Sequence, residues 1–122
     1  MTENSTILII DDSRPAIIHL EKILKPLGRI ILKAENGAEG IKLYKANPDR
    51  IDLVITDIVM PKKEGMETIK DLLAMNPRLK VIAMTSANLD YLIWAETLGA
   101  VTTLIKPFPA NTLETVKSTL ES

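Results

Sequence analysis

Four short stretches of this sequence carry groups that could act together on a phosphoryl group: Asp11-Asp12, Asp57, Thr85-Ser86 and Lys106-Pro107. Three carboxylates brought within a few ångströms repel one another, and each raises its neighbours' pKa. They stay ionised together only beside a cation. All-oxygen ligation in an incomplete protein cage suits Mg2+, which keeps several waters and shares a phosphate oxygen. Lys106 could then supply a positive point charge to a phosphoryl oxygen, and the Thr85 hydroxyl a hydrogen bond to another. A carboxylate can itself attack phosphorus and become an acyl phosphate. Catalysis would be mostly positioning and charge neutralisation of an in-line transfer. Each residue also has a plainer use. Asp12 with Ser13 could cap a helix, Thr85, Ser86 and Asn88 could cap another, and Lys106 alone could be a solvated lysine. Complementary groups at four separate places weigh against capping alone, provided the fold brings them together.

The elements that must position them alternate between two kinds. Short apolar runs rich in β-branched residues fall at Ile7–Ile10, Ile30–Leu32, Leu53–Thr56, Val81–Met84 and Thr102–Ile105. Such near-continuous runs are expected of strands buried on both faces. Between them lie stripes with helical spacing: Ala16, Leu20, Ile23, Leu24 and Leu27; Met66, Ile69, Leu72 and Leu73; Leu113, Val116 and Leu120, with the Lys117 stem along the edge. Asn36 with Glu39, and Asn111 with Glu114, predict helix N-caps with a reciprocal acid. Asn47-Pro48 and Asn76-Pro77 predict helix ends, and Pro26 predicts an early end or kink in the first helix. Five strands alternating with five helices imply an α/β fold: one doubly wound parallel sheet, right-handed crossovers and helices on both faces. In such a sheet, ligands bind beyond the carboxyl ends of the strands. The four chemical stretches directly follow the first, third, fourth and fifth strands. The loop after the second strand offers only Glu35 and Asn36, further out.

The bulk properties fit one ordinary compact domain over residues 1–122, with an ordered core from about residue 5 to 121. Apolar residues make up 46% and charged residues 25%, and the formal net charge of −1 gives no basic excess of the kind a nucleic-acid footprint needs. The absence of cysteine excludes disulfides, thiolate metal sites and thiol catalysis. No signal peptide is visible, and no apolar run approaches the roughly 20 residues of a membrane helix. A soluble, cytoplasmic protein is expected, with no direct nucleic-acid or membrane partner.

Asp11-Asp12, then Asp57-Ile58-Val59-Met60-Pro61 with Gly65, then Thr85, then Lys106-Pro107-Phe108 resemble the response-regulator receiver domain over essentially the whole chain. The resemblance implies a flavodoxin-like, CheY-like sheet of order 2-1-3-4-5. It implies that Asp57 accepts a phosphoryl group, that Asp12 ligates Mg2+ directly and that Asp11 assists through water. The main-chain carbonyl of Val59 would complete the protein ligands. Lys106 would pair with phosphoryl oxygens, Thr85 would be the switch hydroxyl, and the Lys106-Pro107 bond would be cis. The implied donor is a histidine kinase or phosphotransfer protein, with acetyl phosphate as a small-molecule substitute. The chain would be a signalling phosphoacceptor rather than an enzyme, promoting only its own phosphoryl transfer and autodephosphorylation. Two departures stand out. Thr103 occupies the position three before the lysine where the family usually has an aromatic or His. The stretch from Thr85 to Gly99 is about one residue shorter than the family pattern, which predicts a tighter loop into the fourth helix.

In the fourth helix, Tyr91, Leu92, Ala95 and Leu98 make the inward stripe, leaving Ile93 and Trp94 outward. Exposed aromatics anchor interfaces, and in receivers the fourth helix, fifth strand and fifth helix often form the output or dimer surface. Arg14, Pro15, Ile18 and Phe108 are candidates for the donor contact. His19 reads as a surface histidine, and Lys62 and Lys63 as a solvated loop. A Mg2+-dependent phosphatase with an Asp nucleophile is rejected, because that class carries a second acid two residues on, at its first strand. Here that position is Val59, after the third strand. A phosphorylation-independent binding module of the same fold is the alternative.

Overall fold

The computed structural model describes residues 6–58, 64–86 and 90–122. The strands are β1 (Thr6–Ile10), β2 (Ile30–Ala34), β3 (Ile51–Asp57), β4 (Lys80–Thr85) and β5 (Thr102–Ile105). The helices are α1 (Arg14–Leu24), α2 (Gly37–Ala46), α3 (Glu64–Met75), α4 (Asp90–Leu98) and α5 (Thr112–Glu121). All strand pairs are parallel, in the order β2-β1-β3-β4-β5. The alternation of apolar runs with helical stripes leaves the chain little else to do: each parallel return needs a crossover, and each crossover helix must bury its apolar face on the sheet.

The two sheet faces carry separate cores. Leu8, Ile10, Val54, Ile69, Leu72, Val81 and Ala95 belong to the face covered by α2, α3 and α4. Ile7, Ile9, Leu20, Leu24, Leu53, Ile55 and Val116 belong to the face covered by α1 and α5. Consecutive β1 residues therefore enter opposite cores, which is why that strand reads as an unbroken apolar run. Burying an Ile or Leu side chain of this kind contributes about 1.5–3 kcal/mol. The expectation of strands buried on both faces holds for β1, β3 and β4 but not for the edges. Ile30 and Lys33 of β2 and Ile105 of β5 are exposed, because an edge strand has a neighbour on one side only.

Local signals were mostly sound. The Asn36 side chain accepts from the Glu39 N–H at 2.8 Å and starts α2. Helix α1 ends at Leu24, and Pro26 sits in a 3-10 turn closed by Gly28 at φ 68°, the left-handed conformation that glycine adopts without strain. Asn47 and Asn76 directly follow the last residues of α2 and α3. The Asn111 cap is a correction: its side chain makes no capping bond, and instead the Thr112 hydroxyl donates to the Pro109 carbonyl at 2.7 Å. The α1 stripe also shifts, with Ile17 rather than Ala16 fully inside, between Ser13 and Leu20.

Helix α2 lies so close to β1 that a Cβ on Gly40 would overlap the end of the buried Ile10 side chain. Gly40→Ala should therefore cost about 1–3 kcal/mol by overpacking. Ile10→Val removes the most crowded carbon, so the two substitutions together should destabilise less than the sum of each alone. Urea unfolding of the two single variants and the double variant measures this coupling, and strict additivity would contradict the close approach.

Candidate functional site

The last rungs of the sheet ladder hold the chemical groups. The Asp11 N–H donates to the Ala34 carbonyl of β2 at 3.0 Å, the Ile58 N–H to the Met84 carbonyl of β4 at 3.0 Å, and the Lys106 N–H to the Thr85 carbonyl of β4 at 2.9 Å. Each chemical residue thus sits at or just past the end of a strand, with its backbone fixed by the neighbouring strand. Parallel register carries all of them to one edge.

There the carboxylates of Asp11, Asp12 and Asp57 come together, with an oxygen of each within 4.8 Å of the others. Asp11 is fully buried and Asp12 is exposed. The Lys106 ammonium crosses the gap, donating to Asp11 Oδ2 at 2.6 Å and to Asp57 Oδ2 at 3.3 Å. Side-chain exposure is only 15% for Lys106 and 7% for Asp57. Burial by itself would push the Lys106 ammonium down. The bond to Asp11 and the charges of Asp57 and Asp11 outweigh it and hold the group above the usual lysine range. A lysine whose folded pKa is raised contributes stability that is fully present below its unfolded value, near 10.4, and lost as pH rises through the folded one. Lys106 therefore stays charged at neutral pH.

Local folding aims the acids. Ser13 is the N-cap of α1, its hydroxyl accepting from the Ala16 N–H at 3.3 Å, so capping falls to Ser13 and leaves the Asp12 carboxylate for other work. The Ser13 N–H in turn donates to Asp11 Oδ1 at 2.9 Å, so both Asp11 oxygens are engaged. Thr85 is buried at the end of β4, opposite Ile105 in the register. The Lys106-Pro107 peptide bond is cis. Val59 lies outside the described residues, as do Lys62, Lys63 and the loop before α4 that was expected to be tight.

Two contacts were not legible in the sequence, although every residue that makes them stands in its motif. Lys106 approaches Asp11 more closely than Asp57, so the acid assigned a role through water is also the principal partner of the lysine. Gly65, in the first turn of α3, packs on the main chain of Asp57 and Ile58, where a Cβ would collide with Asp57 O and Ile58 Cα. A glycine inside a helix start, where most residues form helix better, was the available signal. Around the rim, Arg14 donates to Glu35 at 3.1 Å, tying the first turn of α1 to the loop before α2. The His19 ring meets Phe108 edge-on at 5.4 Å.

The donor set is three carboxylates, all hard oxygen ligands, with Lys106 as the one ammonium bonded to them among the described residues, which suits Mg2+ and leaves charge for it to neutralise. Lys106→Met strands carboxylates that are largely out of water. It should lower metal-free stability by up to about 3 kcal/mol, and Mg2+ should restore more stability to the variant than it adds to the parent. Thermal unfolding in EDTA and in Mg2+ reads both effects, and an equal Mg2+ response would contradict Lys106 as the compensating charge.

Comparison with known proteins points the same way. A family model described as the response regulator receiver domain matches residues 7–117. The chain is 32% identical over 117 residues to the chemotaxis protein CheY of Bacillus subtilis, covering 93% of this chain and 96% of that one. It superposes on the crystal structure of a response regulator receiver domain protein from Clostridium thermocellum with TM-score 0.86 and 32% identity, covering 96% and 94% of the two chains. A third likeness is to a chain in the CheX-CheY-BeF3-Mg+2 complex from Borrelia burgdorferi, with TM-score 0.85, 30% identity and coverage of 93% and 87%.

Proposed function

This chain belongs to the response regulator receiver family, and we propose that Asp57 is the residue through which it accepts the phosphoryl group. Phosphoacceptance in two-component signalling comes with the family. The observation that carries the assignment to Asp57 is its position within reach of both other acids and of the Lys106 ammonium. Asp11 is fully buried and already bonded at both oxygens, and Asp12 is the exposed acid. Asp57 is the carboxylate at the end of the central strand β3, beside both groups.

Receiver domains bind Mg2+ at an acidic cluster, and Asp11, Asp12 and Asp57 form such a cluster. Asp12 and Asp57 are the proposed direct side-chain ligands. Asp11 acts through water, and the Val59 carbonyl is carried over from the family pattern. When bound, the metal neutralises charge on the carboxylates and on the incoming phosphoryl oxygens. The chain's own residues do the rest. An Asp57 oxygen attacks phosphorus in line, and the donor's nitrogen or oxygen leaves with the electron pair of the broken bond. Lys106 turns part of its charge from the acids to a phosphoryl oxygen, and the Thr85 hydroxyl donates to another. Promoting only transfer to itself and the later hydrolysis, the chain is a signalling phosphoacceptor and not a turnover enzyme.

Receivers work with histidine kinases or phosphotransfer proteins. Arg14, Pro15 and Ile18, all exposed, together with the partly buried Phe108, are proposed to meet the donor at the rim of the site. The output or dimer surface is proposed on α4, β5 and α5. Ile93 and Trp94 are 60% and 55% exposed there, and Val101 and Ile105 are exposed nearby. Alternate residues of a strand face one way, and Leu104 enters the core under α1 and α5, so Thr103 points with Ile105 to the α4 side of the sheet. Short and uncharged, Thr103 leaves the Tyr91–Trp94 ring pair, 5.4 Å apart and edge-on, as the aromatic element of that face. Among the described residues no helix is long and apolar enough to cross a membrane, which fits the proposed cytoplasmic setting.

Acetyl phosphate or beryllofluoride with Mg2+ should modify Asp57, and Asp57→Asn should abolish the modification. Intact-mass and 19F measurements check this; persistent labelling of the variant, or labelling without Mg2+, would overturn the assignment. Trp94 is the sole tryptophan, so its emission should change on beryllofluoride addition in the parent and stay constant in Asp57→Asn. An unchanged spectrum in both would remove Trp94 from the responding surface.

A further inference from the structure

We propose that the groove between α1 and the outer edge of β2 docks an extended segment of a partner protein that carries apolar and acidic side chains. The groove is a concavity of about 410 Å3 lined by Ile18, Glu21, Lys22, Lys25, Arg29 and Ile31. Three observations meet in it.

The floor is apolar and open. Ile18 is 52% exposed, and Ile31 is only partly covered. Both line the groove, together with the aliphatic stems of the lysines at its rim.

The rim is basic on a chain whose formal net charge is −1. Three of the lining residues are cations and one is an anion. That anion, Glu21, is already bonded to Lys33 at 3.3 Å. Lys22 and Lys25 have no carboxylate within ion-pair distance among the described residues. A local positive excess against the overall charge selects an acidic partner and speeds its encounter.

The wall is a free sheet edge. β2 pairs with β1 on one side and with no other strand among the described residues. Alternate main-chain groups of β2 therefore point outward and can pair with an added strand. That mode of recognition takes affinity from main-chain hydrogen bonds and specificity from alternate side chains. Ile31 and Lys33 face the α1 side of the sheet, with Ile31 in its core and Lys33 bonded to Glu21 of α1. An added strand thus turns every second side chain towards Ile18 and the lysines. A helix laid in the groove would leave the β2 edge unpaired, so the extended form uses all three features. The surface runs along α1 away from Asp57, towards the amino-terminal edge of the sheet, and stands independently of the phosphoacceptor assignment.

The probe is an end-blocked peptide of alternating Leu and Glu, titrated into the full 15N-labelled chain, with an alternating Leu and Lys peptide and a single-stranded DNA oligonucleotide as comparators. The Leu-Glu peptide should shift the amides of Ile18, Lys22, Lys25 and Ile31 and slow hydrogen exchange at β2. Its affinity should fall with added salt. Lys22→Glu with Lys25→Glu should weaken it by about tenfold or more. Both lysines are exposed, and unchanged labelling of Asp57 by acetyl phosphate in this double variant certifies the fold. Shifts confined to other surfaces, equal binding of the Leu-Lys peptide or the oligonucleotide, or indifference to the charge reversal would overturn the proposal.

Discussion

Everything in this molecule answers to the repulsion among Asp11, Asp12 and Asp57. Three carboxylates whose oxygens lie within 4.8 Å are a poor arrangement for stability. It persists because Lys106 bridges two of them from the far strand and because the sheet leaves its end residues no other position. The constraint is mechanical as well as electrostatic. The backbone amides of Asp11, Ile58 and Lys106 all close the final rungs of the ladder. Drawing the backbone of Asp11 or Asp57 away from the others means breaking main-chain bonds at the end of the ladder. The fold therefore holds a charge deficit that a divalent cation and a phosphoryl group can relieve.

The ion pair also explains how the site can respond to chemistry without large motion. Lys106 divides its ammonium between Asp11 and Asp57, with the shorter contact to Asp11. Any new negative charge at Asp57 competes for the same proton donors. Lys106 and Thr85 are joined through the backbone of β4 and β5, so a change in the pull on one is felt by the other. That linkage leads to β5 and to the exposed apolar residues flanking Thr103, not to the α1 side. The α1–β2 groove lies on the opposite edge of the sheet, beyond β1. Two surfaces on two edges let one small domain face different partners.

Packing asymmetry follows from the same sheet. The central strands are buried on both faces, whereas β2 and β5 expose Ile30 and Ile105. Glycine appears where helices come closest to the sheet: Gly40 over Ile10 and Gly65 over the Asp57–Ile58 peptide. The second of these is functional by position, because it lets α3 start directly above the acid at the end of β3.

Much of this was legible in the residues themselves. Unbroken β-branched runs, Asn36 before a helical stripe and prolines after Asn47 and Asn76 are local signals, and local physics reads them: rotamer restriction, capping and the missing proline N–H. Their alternation determined the class of fold, and the placement of Asp11, Asp12, Asp57, Thr85 and Lys106 just at strand ends determined the candidate site. What tertiary structure alone decided depends on distances between segments remote in sequence. The Lys106–Asp11 contact spans 95 residues, and no spacing rule reports which of two carboxylates a lysine will approach. The strand order set which strands became edges, and hence which of the apolar runs remained open to solvent. Asp11, Asp12 and Asp57 are aspartates by sequence; they are a cluster only because five parallel strands end together.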